Sequence, residues 1–280
     1  MSHPAASSLR PRARYLFQAV KYLTFSLLCI NIWLFLGQEL ASASYSGLGA
    51  LTLPDAVQLF SATLDTAAWV VLLLLFELET AVIPDHRLVG MTRWFIHGLR
   101  ILCTLAILSA FYGYWEEWVV LEQVTQMTLP VCGLVEESWS VLLGLDDFEV
   151  LTRDNCAGLS ATAYQLTELD HVLVAPEVLV ETQWLALTDV VNAAAWILVV
   201  VVLELEVRLL PVAGGFSARV APLINASKIL LYATLAAAAV YWGFEGDFLD
   251  FWDAALWLFA FVFIEMNVFK WQREVADPVA

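Results

Sequence analysis

Six polar residues of the sequence form three closely spaced pairs, and each pair lies within a long apolar run. The pairs are Glu77 and Glu79, Glu204 and Glu206, and Glu265 and Asn267. An ionised carboxylate in hydrocarbon is costly unless it is paired or faces water, and acidic groups inside membranes often line cation pathways. We therefore treat all six as candidate ion-binding or translocation residues. The sequence leaves the identity of any metal ion unknown.

The three pairs belong to an internal repeat. In each copy an Asp or Asn precedes a Trp by four residues, and the first Glu follows that Trp by eight. The earlier positions are Asp65 and Trp69, Asn192 and Trp196, and Asp253 and Trp257. We expect the Asp and Asn side chains to cap the outer ends of helices and the Trp rings to lie in the interfacial aromatic belt. On this interpretation, the glutamates are the functional candidates.

Three basic residues open the other apolar runs and are candidate ion-pair partners. They are Lys21, Arg100 and Lys228. In one hypothesis, each of them neutralises the first Glu of its own hairpin, and the pairs are structural. In the second, the three first glutamates converge near a pseudo-threefold axis and bind a proton or a metal cation. Contact with another membrane subunit is a third role for the same residues.

The composition indicates a polytopic membrane protein. Of the 280 residues, 61% are apolar and 15% are charged, and the mean hydropathy is +0.75. A run of about 20 apolar residues is long enough to cross a bilayer as a helix. Six such runs cover residues 15–37, 63–83, 93–115, 184–210, 222–244 and 252–271. They predict an all-α membrane protein with six transmembrane helices arranged as three repeated hairpins.

The predicted helices divide the chain into four regions. These are a cytoplasmic tail (1–14), the first hairpin and third helix (15–118), an acidic extracytoplasmic cap (119–183), and the fourth to sixth helices with a cytoplasmic C-terminus (184–280). Apolar residues at helical spacing in 134–145 and 159–169 predict a small, mainly helical cap. Cys132 and Cys156 are expected to form a disulfide, which stabilises a loop of this length by about 3 kcal/mol.

The charged residues predict the orientation. With both termini in the cytoplasm, Arg153 alone of the 13 Lys and Arg residues lies on the outer side. This asymmetry follows the positive-inside rule, and we expect a multi-pass protein of a bacterial-type inner membrane. All but eight of the 29 carboxylates then lie on the outer side. The outer face is therefore strongly acidic, which attracts cations.

The sequence lacks the short motifs of common enzymes. It contains no Gly-rich phosphate loop, no His-Glu-x-x-His and no Gly-x-Ser-x-Gly, and it has only four His. We therefore expect no enzyme activity, no cofactor and no nucleic-acid partner. The leading prediction is a channel- or transporter-like protein that handles cations or protons through the inner glutamates. The alternative is a non-catalytic membrane subunit or scaffold whose acidic cap docks a membrane or periplasmic partner.

Overall fold

A computed structural model describes seven α-helices and one small sheet. It describes residues 11–43, 45, 52–79, 90–128, 130–159, 163–169, 171–209 and 215–261. The helices are α1 (Pro11–Ala43), α2 (Leu53–Leu59), α3 (Ser61–Glu77), α4 (Met91–Glu122), α5 (Pro176–Leu209), α6 (Gly215–Glu245) and α7 (248–261). Most of the described chain is therefore helical, as predicted.

Four helices of the described chain are long and apolar enough to cross a membrane. These segments are Tyr15–Ala43, Met91–Glu122, Pro176–Glu206 and Val220–Glu245. Large apolar side chains such as Trp33, Trp94 and Leu230 are exposed on them, which is typical of helices that face lipid tails. The other two predicted segments correspond to α3, which has 17 residues, and to α7, which is described as far as residue 261.

The long helices pack in chain order, and α7 closes the series. α1 packs against α3, α3 against α4, α4 against α5, and α5 against α6. Leu256 of α7 packs with Leu28 of α1 and Leu73 of α3. The next residue of α7, Trp257, also packs against a cluster that contains Leu235 of α6. The helices therefore share a common interior.

The cap between α4 and α5 is built on a five-stranded sheet. Its strands are β1 (Val124–Gln126), β2 (Ser140–Gly144), β3 (Asp147–Val150), β4 (Tyr164–Leu166) and β5 (Val172–Val174). Their order is β1-β4-β5-β2-β3, with β2 and β5 parallel and the other neighbours antiparallel. The prediction of a mainly helical cap is therefore wrong.

Short strands and a tight turn explain this error. β2 and β3 are joined at Asp146, whose φ of 62° is a conformation that Asp tolerates better than most residues. β5 lies at the centre of the sheet, and all three of its side chains are buried. A central strand therefore lacks the alternation of apolar and polar residues that marks a half-exposed one. Over so few residues, an apolar run cannot be assigned to a helix or a strand by its period.

The predicted disulfide between Cys132 and Cys156 is confirmed, with a Cα–Cα distance of 5.1 Å. It joins the short 3-10 helix Val131–Leu134 to the loop that follows β3. Cys156 packs with Trp139 and Leu173 in the core of the cap. The bond therefore ties two loops to the core of the sheet.

α4 and α2 approach each other closely at Gly113. A Cβ atom on Gly113 would lie 2.9 Å from the carbonyl oxygen of Val57 and 3.0 Å from the Cβ atom of Ser61. Both distances are shorter than an ordinary van der Waals contact. Because Val57 contributes a backbone atom, relief of the clash would require the helices to move apart.

Gly113→Ala should lower the free energy of unfolding by about 1–3 kcal/mol, because the added methyl group overpacks this contact. Gly98→Ala is the matched control, since Gly98 lies in the same helix and a Cβ atom there would have no neighbour within 4 Å. Thermal unfolding of both variants in detergent measures the difference. Equal unfolding temperatures would contradict the close approach.

Candidate functional site

Polar residues of the repeat lie at two levels of the helical bundle. We call the end of the bundle that carries the sheet the cap end, and the opposite end the far end. α3 and α5 both run from the cap end to the far end, and they carry the paired glutamates near their last turns. The Asp and Asn positions lie three to four turns nearer the cap, and the Trp positions lie two to three turns nearer it. The residues at the two levels contact different partners.

Lys21 and Glu77 form a buried ion pair at the far end. The Nζ atom of Lys21 lies 2.5 Å from Oε2 of Glu77, and the Tyr22 hydroxyl donates a hydrogen bond of 3.1 Å to Oε1. Lys21 is 7% exposed and Glu77 is 6% exposed. Since both oxygens of this carboxylate have a partner, Glu77 is neutralised within its own hairpin.

The second glutamate of each described pair binds a basic residue of the next helix. Arg100 of α4 pairs with Glu79, and Nζ of Lys228 in α6 lies 2.9 Å from Oε2 of Glu206. Residues two apart on a helix point about 200° apart, so Glu77 contacts α1 while Glu79 contacts α4. The sequence did not indicate these links between successive hairpins. The hypothesis of pairing within one hairpin therefore describes only one of these three pairs.

The expected convergence of the first glutamates is not seen in the two described copies. Glu77 is buried against α1, whereas Glu204 is exposed on α5. In α5 it is Glu206 that turns toward α6. Glu265 and Asn267 lie outside the described residues, so the role predicted for them stays a prediction.

The Asp and Trp positions of the repeat converge in the interior instead. The ring centroids of Trp69 and Trp196 are 6.4 Å apart, as are those of Trp196 and Trp257. In two copies the indole also lies near the carboxylate four residues earlier, Asp65 or Asp253. The prediction of an interfacial aromatic belt is wrong for these rings. Residues four apart share one helix face, and a face repeated three times can mark the side on which helices meet.

A cavity of about 510 Å³ lies at the cap end of the bundle. Nine carboxylates from helices, turns and cap line it: Glu39, Asp55, Glu116, Glu117, Asp146, Glu168, Asp189, Asp247 and Asp250. Among the described residues of the lining, none is Lys or Arg. The volume lies in the range of small-ligand sites, and the lining favours a positively charged ligand.

The carboxylates of this cavity are close enough to repel one another. The charge of Asp146 acts on Glu39 and on Asp189, and Asp247 acts on Asp146 and Asp189. Burial and the nearby Asp247 raise the pKa of Asp146 from 3.8 to about 6, although a hydrogen bond from Ser42 lowers it. A bound proton or other cation would relieve this repulsion.

Glu39 is a cavity carboxylate that also caps a helix, as Asp55 does at the start of α2. Its Oε1 atom accepts hydrogen bonds from the backbone N–H groups of Ala62 at 2.8 Å and Thr63 at 3.1 Å, and the Thr63 hydroxyl donates to Oε2. The carboxylate of α1 thus satisfies free N–H groups at the start of α3, where the helix dipole favours negative charge. Glu39 therefore has a structural role.

A second cavity, of about 30 Å³, adjoins the first. The residues that line both are Phe35, Tyr114, Asp189 and Asp250. The smaller cavity also reaches Asp65, Asn192 and Asp253, which are the same position in the three repeats. The acidic lining therefore extends from the cap to the repeat.

The described residues contain no group of three or more His, Cys, Asp and Glu side chains that could hold a metal ion. Carboxylates instead line the walls of a space that is much wider than one ion. Such a lining suits protons or hydrated cations, since a dehydrated metal ion needs several oxygen ligands at bonding distance.

Comparisons with known proteins assign no family to this chain: no family model matches it, and no curated protein or solved structure is significantly similar. The chemistry of the site is therefore the basis for inferring the function of this chain.

Lys21→Met should destabilise the protein by about 3–5 kcal/mol, because it leaves the buried Glu77 carboxylate without its cation. The double variant Lys21→Met/Glu77→Gln should be more stable than the single variant Lys21→Met. Arg153→Met is the control, since it breaks an ion pair with Glu136 whose side chains are 83% and 85% exposed, and exposed pairs contribute little. Thermal unfolding in detergent measures all three. If Lys21→Met and Arg153→Met unfolded at the same temperature, the Lys21–Glu77 contact would not be a buried ion pair.

Asp146→Asn should raise the unfolding temperature at neutral pH but not at pH values below 4. The folded protein holds the Asp146 proton more tightly than the unfolded chain, whose carboxyl has a pKa of 3.8. The stability linked to that proton is therefore present at low pH and is lost as the pH rises through about 6. Removal of the charge should recover about 1–2 kcal/mol at neutral pH.

Asp147→Asn is the matched control for this variant, because Asp147 is the exposed neighbour in the same hairpin. Asn tolerates the positive φ of position 146, and its side-chain oxygen keeps the hydrogen bond from Ser42. Melting curves recorded across the acid range measure both variants. If Asp146→Asn raised the unfolding temperature equally at every pH, the charge of Asp146 would not be the cause of the increase.

Proposed function

We propose that this protein is an integral membrane protein that handles cations or protons, in the manner of a channel or transporter. The cavity at the cap end is where they would bind first. One observation carries the proposal: nine carboxylates line a cavity of about 510 Å³, and no described residue of the lining is basic. An arrangement of this kind concentrates cations and repels anions.

The position of the carboxylates strengthens their attraction for cations. Asp189 and Asp250 belong to the helices, whereas Asp146 and Glu168 belong to the cap. A ligand in the cavity is therefore approached by negative charge from more than one side. Charges in a partly buried cavity are also screened less by salt than charges on an open surface.

The far-end glutamates are proposed to hold helices together and not to carry the ion. Glu77, Glu79 and Glu206 each have a basic partner. A passing cation would have to displace that partner, and separation of a buried ion pair leaves a costly unpaired charge. We therefore assign to the carboxylates of the cap end the ion-binding role that was predicted for these glutamates.

Six membrane segments in three hairpins remain the proposed architecture. The hairpins would be α1 with α3, α4 with α5, and α6 with α7. The meeting of Trp69, Trp196 and Trp257 in the interior supports three equivalent units. The distribution of Lys and Arg supports an inner membrane with both termini in the cytoplasm. The cavity would then face the outer side.

The alternative is a non-catalytic membrane subunit or scaffold whose cap docks a membrane or periplasmic partner. One observation favours it. β3 is an edge strand of the sheet, and Leu143 and Val150 of the β2–β3 hairpin are 48% and 47% exposed. An edge strand with exposed apolar side chains can pair with a strand of another protein.

Flux through purified protein in proteoliposomes tests the leading proposal. The double variant Asp189→Asn/Asp250→Asn removes two carboxylates that line both cavities. It should lower the uptake of protons or monovalent cations by about tenfold or more, because steering by the cavity charge is lost. An imposed membrane potential drives the uptake, and entrapped dyes sensitive to pH or to the cation report it.

Glu149→Gln is the matched control, because it removes an exposed carboxylate of β3 that lies outside the cavity lining. Its uptake should equal that of the wild type. Equal uptake by the wild type and the double variant would contradict the proposed function. A wild type that moves no cation and co-purifies with a protein partner would support the docking alternative instead.

A further inference from the structure

Two polar atoms at the small cavity have no hydrogen-bond partner among the described residues. They are Oδ1 of Asn192, an acceptor, and Nε1 of Trp242, a donor, and both residues line the cavity. Trp242 is 2% exposed. Its indole faces Asp189 but closes no hydrogen bond to it. Because a buried polar group left unpaired is costly, the two atoms indicate a ligand in this space.

The two atoms also limit what this ligand is. It must accept a hydrogen bond from Trp242 and donate one to Asn192, so it needs both a lone pair and a hydrogen. A metal cation cannot accept from an N–H group and is repelled by its positive end. The volume of about 30 Å³ is large enough to hold a water molecule.

Titratable groups face this space from four helices. Asp65 belongs to α3, Tyr114 to α4, Asp189 to α5, and Asp250 and Asp253 to α7. Asp65 and Asp253 repel each other, as do Asp250 and Asp189. None of the described residues of the lining is Lys, Arg or His. A proton shared among these groups is therefore the counter-charge that fits the small volume.

We infer that the small cavity holds a neutral water molecule bound between Trp242 and Asn192 that relays a proton between the carboxyl groups around it, and that the cation handled by this protein is the proton. This inference rests on the proposed function and narrows it. In the transfer, the O–H bond of the Asp189 carboxyl group breaks as its proton passes to the water. The water gives a different proton to the Asp253 carboxylate and is restored. One positive charge thus moves from the large cavity to the repeat.

Aromatic rings close the far side of the small cavity. Trp196 and Trp257 line it, and Phe261 packs on Trp196 with a centroid distance of 5.4 Å. An indole N–H group donates hydrogen bonds but does not accept a proton. Among the described residues, the acidic lining therefore ends at Asp65 and Asp253, one turn before Trp69 and Trp257.

Asn192→Leu and Trp242→Phe test the inference with the full chain in proteoliposomes. Each variant removes one of the two groups that hold the water and keeps a side chain of similar shape. Each should lower proton uptake, reported by an entrapped pH-sensitive dye, by about tenfold. Trp184→Phe is the matched control on α5, since Trp184 is 58% exposed, and it should keep wild-type uptake. The wild type should take up no radioactive sodium or rubidium at constant pH.

The outcomes separate this inference from the function on which it rests. Sodium or rubidium uptake by the wild type would overturn the proton assignment but leave the proposed function in place. Uptake of no cation at all would overturn the proposed function. Undiminished proton uptake by Asn192→Leu and Trp242→Phe would overturn the water site.

An infrared measurement on the wild type needs no variant and so does not depend on how the variants fold. The difference spectrum between alkaline and neutral samples in detergent should contain a carboxylic acid band that shifts in D2O, because exposed carboxylates stay ionised at both pH values and the carboxylates that share the proton lie in the cavities. A spectrum without such a band would overturn the inference.

Discussion

The need to neutralise carboxylates in an apolar bundle governs this structure. The chain has a formal net charge of −16, and an unpaired ionised group inside a membrane is costly. At the far end, Lys21, Arg100 and Lys228 supply the counter-charges. At the cap end, the backbone of α3 satisfies Glu39. The other cavity carboxylates face one another with no described basic residue beside them. Basic side chains therefore balance the glutamates at one end of the bundle, whereas the other end carries clustered carboxylates.

The far-end ion pairs also explain which helices lie next to one another. Lipid tails are as apolar as the helix surfaces, so apolar contact alone does not select partners within a membrane. Glu77 and Glu79 point to opposite sides of α3 and bind α1 and α4, and Glu206 links α5 to α6. A polar pair that must be satisfied inside the membrane thus specifies the order of the helices.

The cap and the bundle form the acidic site together. The β2–β3 turn places Asp146 in the cavity lining. Next to it, Leu145 packs against the cluster of Leu185 and Trp242 in the helices. The disulfide between Cys132 and Cys156 lies in the core of the cap. The cap therefore forms part of the cavity wall and packs directly on the helices.

The sequence by itself determined the apolar helices, the disulfide and the separation of acidic from basic residues, because hydropathy, cysteine spacing and charge can be read along the chain. It did not determine the sheet of the cap, whose strands of three to five residues are too short for a clear period. Only the tertiary structure decided that Arg100 binds Glu79 and that Asp65 lies near Asp253. Such contacts depend on the rotation of each helix about its axis, since half a turn exchanges the lipid-facing side for the interior.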